Sequence, residues 1–294
     1  MKNYKKNLST LFIFLLLGTW TNLASAGACT GVGTAASPIT AAECETEPDI
    51  YKIKVYEMGL CATTPTLANM ATACTSVTKI SEGGLVTVAN GVNSVVPGTF
   101  VRPDNGTYAY GYMVIAPEFR ITATKTFGSS VTGQAGAGTT CWTLAGSFRD
   151  SGATTTYDGS TPTAITAATR GSYLAECGLA ANAAPAETVT VQDAFGGSDI
   201  NDEGLATASA TVDGATVVAH LTDSNLALAT KSADVAKLVG FVTFATPVTV
   251  TDDSATFVSS FKVSQGAQIG YDAINAGSIK YIGSGPFVTK LSVE

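Results

Sequence analysis

Six cysteines, all between Cys29 and Cys177, follow an amino-terminal stretch with the features of an export leader. Lys2, Lys5 and Lys6 form a basic n-region, Leu11-Phe12-Ile13-Phe14-Leu15-Leu16-Leu17 an apolar core, and Ala24-Ser25-Ala26 a small-x-small cleavage signature. The apolar run is too short to span a bilayer comfortably and no second one follows, so no transmembrane segment is expected. Cleavage near Ala26 would place the remainder at the cell surface, in the periplasm or in the medium, where disulfides persist. A lipid on Cys29 is the rival reading. Small residues precede that cysteine, but the usual aliphatic residue three positions before it is missing.

Six cysteines allow fifteen pairings. Loop closure favours near neighbours, so the expected bridges are Cys29–Cys44, Cys61–Cys74 and Cys141–Cys177. The first two close short loops, each worth about 3 kcal/mol in the chain-entropy model. A cysteine metal site fits poorly. No C-x-x-C occurs, and the one histidine, His220, lies in the cysteine-free half.

Charge excludes two classes of partner. Lys and Arg number 16 against 23 Asp and Glu, a net charge of −7, and loss of the leader lysines makes the remainder more acidic still. Such a chain lacks the cations that replace counterions on nucleic acid or bind anionic lipid. Only 13% of residues are charged, and Thr, Ser, Ala, Gly and Val take their place. That composition suits a β protein with a neutral, hydroxyl-rich surface.

Alternation and turn signals then order the chain. Residues 50–60 read as a strand, and Thr75–Ile80 and Leu85–Ala89 as two more, split by Gly83-Gly84. Arg102-Pro103-Asp104-Asn105-Gly106 is a turn that launches the clearest strand, Thr107–Ala116, which Pro117 interrupts before Glu118–Phe127. Gly128–Thr140 has few large side chains and reads as a mobile loop, Cys141–Leu144 as a buried strand, and residues 150–170 as another loop or edge. Asp213-Gly214 signals a hairpin within Leu205–Leu221. Asp223 or Ser224 is expected to cap a helix running to about Val239. Leu238–Thr251, Thr256–Ile269 and Ser278–Val293 read as closing strands, with a turn at Asp252-Asp253-Ser254.

The expected fold is an all-β antiparallel sandwich with at most one or two short helices. It is either one large sandwich or two lobes, residues 27–180 with the cysteines and 185–294 without. From Ile50 to Ile115 a strand, a cysteine loop, Pro97-Gly98-Thr99-Phe100, Asp104-Asn105-Gly106-Thr107-Tyr108 and an aromatic strand follow one another. This order resembles prealbumin-like or Ig-like sandwich modules of exported bacterial proteins of unknown function. The resemblance implies a sandwich and carries over no functional residue.

Catalytic options are thin. His220 sits in a strand pattern beside a hairpin, no G-x-S-x-G elbow exists, and Gly133–Gly138 lacks the Lys-Ser/Thr of a phosphate loop. A hydrolase would have to rely on carboxylates such as Glu57, Glu118 or Glu176. Asp199, Asn201 and Glu203, with Gly204, resemble the start of a calcium loop whose twelfth position is Ala210 rather than Glu. Calcium is the one cofactor they suggest. Glu43, Glu45, Glu47 and Asp49 would share one face of an extended chain, where water or a cation must separate them. Tyr108, Tyr110 and Tyr112 would also share a strand face, suited to stacking on a sugar or to cross-strand packing. The expected function is non-enzymatic: a structural, adhesive or cell-surface role with self-association or a surface glycan as partner. A glycan or small-ligand binding module is the alternative, and a carboxylate-dependent hydrolase comes third.

Overall fold

The structure is a computed structural model that describes Cys29 and residues 43–89, 91–94, 96–134, 136–149, 155–157, 162–164, 175–196, 199–254, 257–271 and 278–293. The leader and the cleavage site lie outside these residues. The described chain is mostly strand. In order, the strands are β1 (Glu43–Thr46), β2 (Ile50–Cys61), β3 (Cys74–Val88), β4 (Asn93–Ser94), β5 (Thr99–Phe100), β6 (Gly106–Thr122) and β7 (Thr124–Thr132). β8 (Ala137–Thr143), β9 (Gly146–Arg149), β10 (Thr155–Tyr157), β11 (Pro162–Ala164), β12 (Ala175–Gly178) and β13 (Thr188–Val191) follow. β14 (Thr207–Val212), β15 (Ala215–Thr222), β16 (Lys237–Val250), β17 (Phe257–Lys262), β18 (Ala267–Tyr271), β19 (Ile279–Ser284) and β20 (Val288–Val293) complete the chain. Among the described residues the one α-helix is a single turn, α1 (Met70–Ala73).

The fold is an all-β sandwich. One large sheet runs β14-β15-β16-β6-β2-β3-β5, with β13 and β9 attached to it, and draws strands from both sides of residues 180–187. Smaller sheets, β1-β18-β19, β12-β8-β7 and β20-β17-β4, complete the layers. Among the described strands every ladder is antiparallel except β9 with β13.

β6 is the spine. On one flank it pairs with β2. On the other it pairs with β16 over Gly106–Ile115 and with β13 over Glu118–Ile121. Pro117 lies at the change of neighbour. Proline has no N–H for a ladder, so a break between two partners is a place it is tolerated. Its carbonyl is still used, accepting from the Gln192 N–H at 2.7 Å. The strand therefore continues through Pro117 instead of being interrupted there as expected.

The main core lies between the large sheet and the smaller ones. Tyr51 is fully buried, with its ring 5.5 Å from Phe287 and 6.1 Å from Phe119. Phe261, also fully buried, lies 6.3 Å from Phe287. A buried hydroxyl without a partner would cost about 1–3 kcal/mol. The Tyr51 hydroxyl instead shares a 2.7 Å hydrogen bond with Ser284 Oγ. Burial drives this phenol's pKa far up, with the Ser284 contact opposing in part.

The bridges are Cys29–Cys44, Cys61–Cys74 and Cys141–Cys177, the expected set. Two of them join directly opposed residues of neighbouring strands, β2 with β3 and β8 with β12. The third engages the Cys29 thiol that a lipid would have required.

Several elements depart from expectation. β3 is one strand, because Gly83, at φ +73°, absorbs a register shift without ending the ladder. The last two apolar runs each split in two, at Ser264-Gln265-Gly266 and at Gly285-Pro286, and feed different sheets. The helix expected from Asp223 to about Val239 does not form; its span holds one 3₁₀ turn, Ser232–Asp234. Asp223 Oδ1 accepts from the N–H groups of Asn225 and Ala227, Leu226 takes φ +66°, and the chain returns to bridge Thr222 with Leu228. Side-chain acceptance of this kind competes with helix nucleation.

The Gly-rich segment expected as a mobile loop is the β7–β8 hairpin. β12 lies so close that a Cβ at Gly138 would sit 2.1 Å from the Gly178 carbonyl oxygen, and one at Gly133 2.5 Å from the Cys177 nitrogen. The glycines are there for close backbone approach. Beyond β12, residues 180–187 are tied back to the sheets. The Ala186 N–H donates to the Thr143 carbonyl, and Glu187 takes Lys52 at 2.7 Å and Arg120 at 3.2 Å. Burial tends to raise the Glu187 pKa, but these two cations outweigh it and hold the carboxyl below its ordinary value.

Three substitutions test this packing. Gly138→Ala forces backbone apart and should cost about 1–3 kcal/mol in thermal unfolding. Gly240→Ala meets nothing closer than Val217 Cγ2 at 3.8 Å and should leave stability nearly unchanged. Glu187→Gln should lower the midpoint at neutral pH but not in acid. The native pKa lies below the unfolded one, so the clamp's stabilisation is present above the unfolded value and is lost as pH falls through the native one. Unfolding midpoints of both proteins across pH read this directly.

Candidate binding groove

The face of the large sheet turned away from the main core carries a second, smaller apolar cluster. Cys61, Tyr112, Val114, Val239 and Phe241 form it, with Tyr110, Leu67, Met70 and Leu226 packed against them. Register explains the grouping. Tyr110 opposes Thr243, Tyr112 opposes Phe241 and Val114 opposes Val239 across β6 and β16. Val218 and His220 of β15 oppose Phe241 and Val239 in turn.

Two loops rise over this face and leave a groove of about 450 Å³. One wall is Thr64–Ala68, inside the loop that Cys61–Cys74 closes. Asn69 braces that loop. Its Oδ1 accepts from the Thr66 N–H at 2.6 Å and its Nδ2 donates to the Thr64 carbonyl at 3.1 Å. The Thr64 hydroxyl donates to Tyr110 Oη at 3.1 Å, tying wall to floor. The other wall is Leu228, exposed on the turn that replaced the expected helix. Tyr110, Val218, His220, Phe241 and Thr243 line the floor, and Thr207 of β14 lies at the end.

The side chains lining the groove include no carboxylate, amine or thiol. Its polar atoms are hydroxyls and one imidazole. His220 Nδ1 and Thr207 Oγ1 share a 2.9 Å hydrogen bond across the β14–β15 ladder, and Phe241 meets the imidazole edge-on at 5.6 Å. Burial pushes the His220 pKa down, so the imidazole is neutral at pH 7. A hydroxyl beside an imidazole has the spacing of a nucleophile and its base. The carboxylate that orients the base in a triad is not among the lining residues. The geometry is suited to holding an uncharged surface with an apolar side.

The structure separates the three tyrosines. Tyr110 lines the groove. Tyr112 is buried beneath it and donates to Glu57 Oε1 at 2.6 Å. Burial first, and Glu57 second, drive that phenol's pKa up. Tyr108 lies beyond a register irregularity between Thr243 and Val248. It belongs to the main core with Val248 and Val250, and its hydroxyl donates to the Asp104 carbonyl at 2.8 Å. Simple alternation could not show that shift.

The acidic residues lie apart from the groove. Asp199 Oδ1 accepts from the N–H groups of Asn201 and Ser232, while Asn201 and Glu203 are exposed. Among the described residues no cluster of three His, Cys, Asp or Glu is arranged to hold a metal ion. Glu45 is buried within β1, whereas Glu47 and Asp49 are exposed beyond it. Glu57 lies 3.6 Å from Lys79, Glu118 lies 3.9 Å from Arg120, and Glu176 accepts from the Cys177 N–H. These three belong to β2, β6 and β12 and line no common groove wall. The groove walls, made by the 62–73 loop and the 223–229 turn, had no signal in sequence beyond the cysteines that close one of them, whereas Tyr110 on the floor was an expected stacking residue.

No family model, curated protein or solved structure matches this chain.

The half-buried imidazole makes stability depend on pH. Its native pKa lies below the ordinary 6.5, so the unfolded chain binds the proton more readily. Stability should be full above that value and fall as pH drops from about 6.5 towards the native pKa. His220→Gln should flatten this limb of a pH series of denaturant midpoints.

Proposed function

We propose that this chain is an exported, non-catalytic protein that works by contact at the cell surface or in the space around it, in an adhesive or structural role. The observation that carries the reading is the groove over Tyr110, Phe241 and His220. It is uncharged, walled by a cystine-closed loop and set on a rigid sheet face. Rigid, uncharged, partly aromatic surfaces hold a partner at little entropic cost. Three disulfides fit a periplasmic or extracellular setting. No helix among the described residues is long and apolar enough to cross a membrane.

Tyr110 favours a second reading, in which the groove binds a neutral glycan or small molecule. A half-buried phenol offers a flat area with a polar tip, and the volume falls in the range of small-ligand sites. Both readings predict that Tyr110→Ala leaves the fold intact and weakens retention at least about tenfold. The measurement is retention of the purified oxidised chain on cell surfaces and on an array of neutral glycans. Loss on cells alone supports the adhesive role, and loss on a defined glycan supports the binding module. Retention on either surface that Tyr110→Ala leaves unchanged would sink the groove as the contact site.

A further inference from the structure

We propose that β14 is a self-association edge, at which two copies of the chain pair β14 against β14 and continue the large sheet across a twofold axis. The edge adjoins the groove at Thr207, but the inference does not depend on what the groove holds.

The two ends of the large sheet are treated differently. At the β3 end the chain straps itself over the edge. β5 pairs with Thr78 and Lys79, Ser94 Oγ donates to the Thr87 carbonyl, and Pro97 lies against Gly84, where a Cβ would meet it at 2.4 Å. β3 also carries the exposed charges Lys79 and Glu82. Cover and charge are the usual defences of an edge.

Among the described residues β14 has neither defence. It ends the sheet order among the described strands and pairs there with β15 alone. Its six residues, Thr-Ala-Ser-Ala-Thr-Val, include no charge, proline or glycine. Its ladder runs without a bulge from Thr207–His220 to Val212–Ala215. Ser209 and Thr211 are exposed. A straight, neutral edge of this kind offers a row of backbone donors and acceptors to another strand.

Charge selects a second copy as the occupant. The chain carries −7 overall, so two copies tolerate each other only where the facing surfaces are neutral. Antiparallel pairing centred on Ala210 sets Ser209 opposite Thr211, Ala208 opposite Val212 and Thr207 opposite Asp213 of the other copy. The two Asp213 carboxylates then fall at opposite ends of the ladder, about 20 Å apart at ~3.4 Å per residue. That exceeds the screening length of about 8 Å at physiological salt. Directly opposed residues share a face, so both grooves open on the same side of the joined sheet, a bivalent arrangement.

The test is the mass of the purified oxidised chain by sedimentation and light scattering from micromolar to millimolar concentration. A reversible dimer is expected. S209K/T211K sets like charges across the seam twice and should raise the dissociation constant at least about tenfold. S209K/T211E sets opposite charges at the same positions and should bring it back to within about threefold of the original. Circular dichroism of each variant checks that the fold is kept. A monomer throughout the range, a dimer indifferent to S209K/T211K, or no recovery with S209K/T211E would each overturn the pairing.

Discussion

The backbone hydrogen bonds of β6 hold this molecule together. They bind β2 on one flank and, on the other, strands that arrive from far along the chain: β16 below Pro117 and β13 above it. Every large cluster hangs from that spine. Met113, Ile115, Phe119 and Ile121 belong to the main core, while Tyr110, Tyr112 and Val114 build the groove floor or lie beneath it. Both faces are buried where they are most apolar, so a shift of one residue would exchange core and groove. The aromatic contacts of Tyr51 with Phe119 and Phe287 and the cross-strand cystines then lock the layers in that register.

The neutral surface follows from the same economy of charge. Among the described residues several cations are matched to nearby acids, such as Lys52 and Arg120 on Glu187 and Arg149 on the buried Asp193 at 3.0 Å. Arg102 serves another purpose. It donates to the carbonyls of Thr251 and Ser254 and to Asn105, joining the 103–105 turn to the 251–254 turn. With charge spent on such ties, the groove and the β14 edge are left to hydroxyls, methyls and rings. Recognition there rests on shape, apolar area and backbone pairing rather than on ion pairs.

Sequence expectation and structure part company where a distant segment intervenes. The β7–β8 glycines resemble a flexible linker until β12 is laid against them. Asp223 resembles a helix cap, yet its carboxylate serves a turn whose Leu228 bridges back to Thr222. Tyr108 shares a parity with Tyr110 and Tyr112 but not a cluster, because β16 is irregular between Thr243 and Val248. In each case the local signal has two readings of similar energy, and a contact far away in sequence chooses between them.

Local chemistry, legible in the chain by itself, determined the all-β class, the Asp213-Gly214 hairpin, the long strand after Asn105-Gly106 and the three near-neighbour cystines. Alternation, turn residues and loop-closure entropy act over a few residues, so they can be read without a fold. Only the tertiary structure decided that β6 passes through Pro117 by changing partners, that Tyr110, His220 and Phe241 share one groove floor, and that one sheet edge is strapped while the other, among the described residues, is bare. Those features depend on which strands become neighbours. Strand pairing is set by the burial of two whole faces at once, a sum over the chain that no single stretch carries.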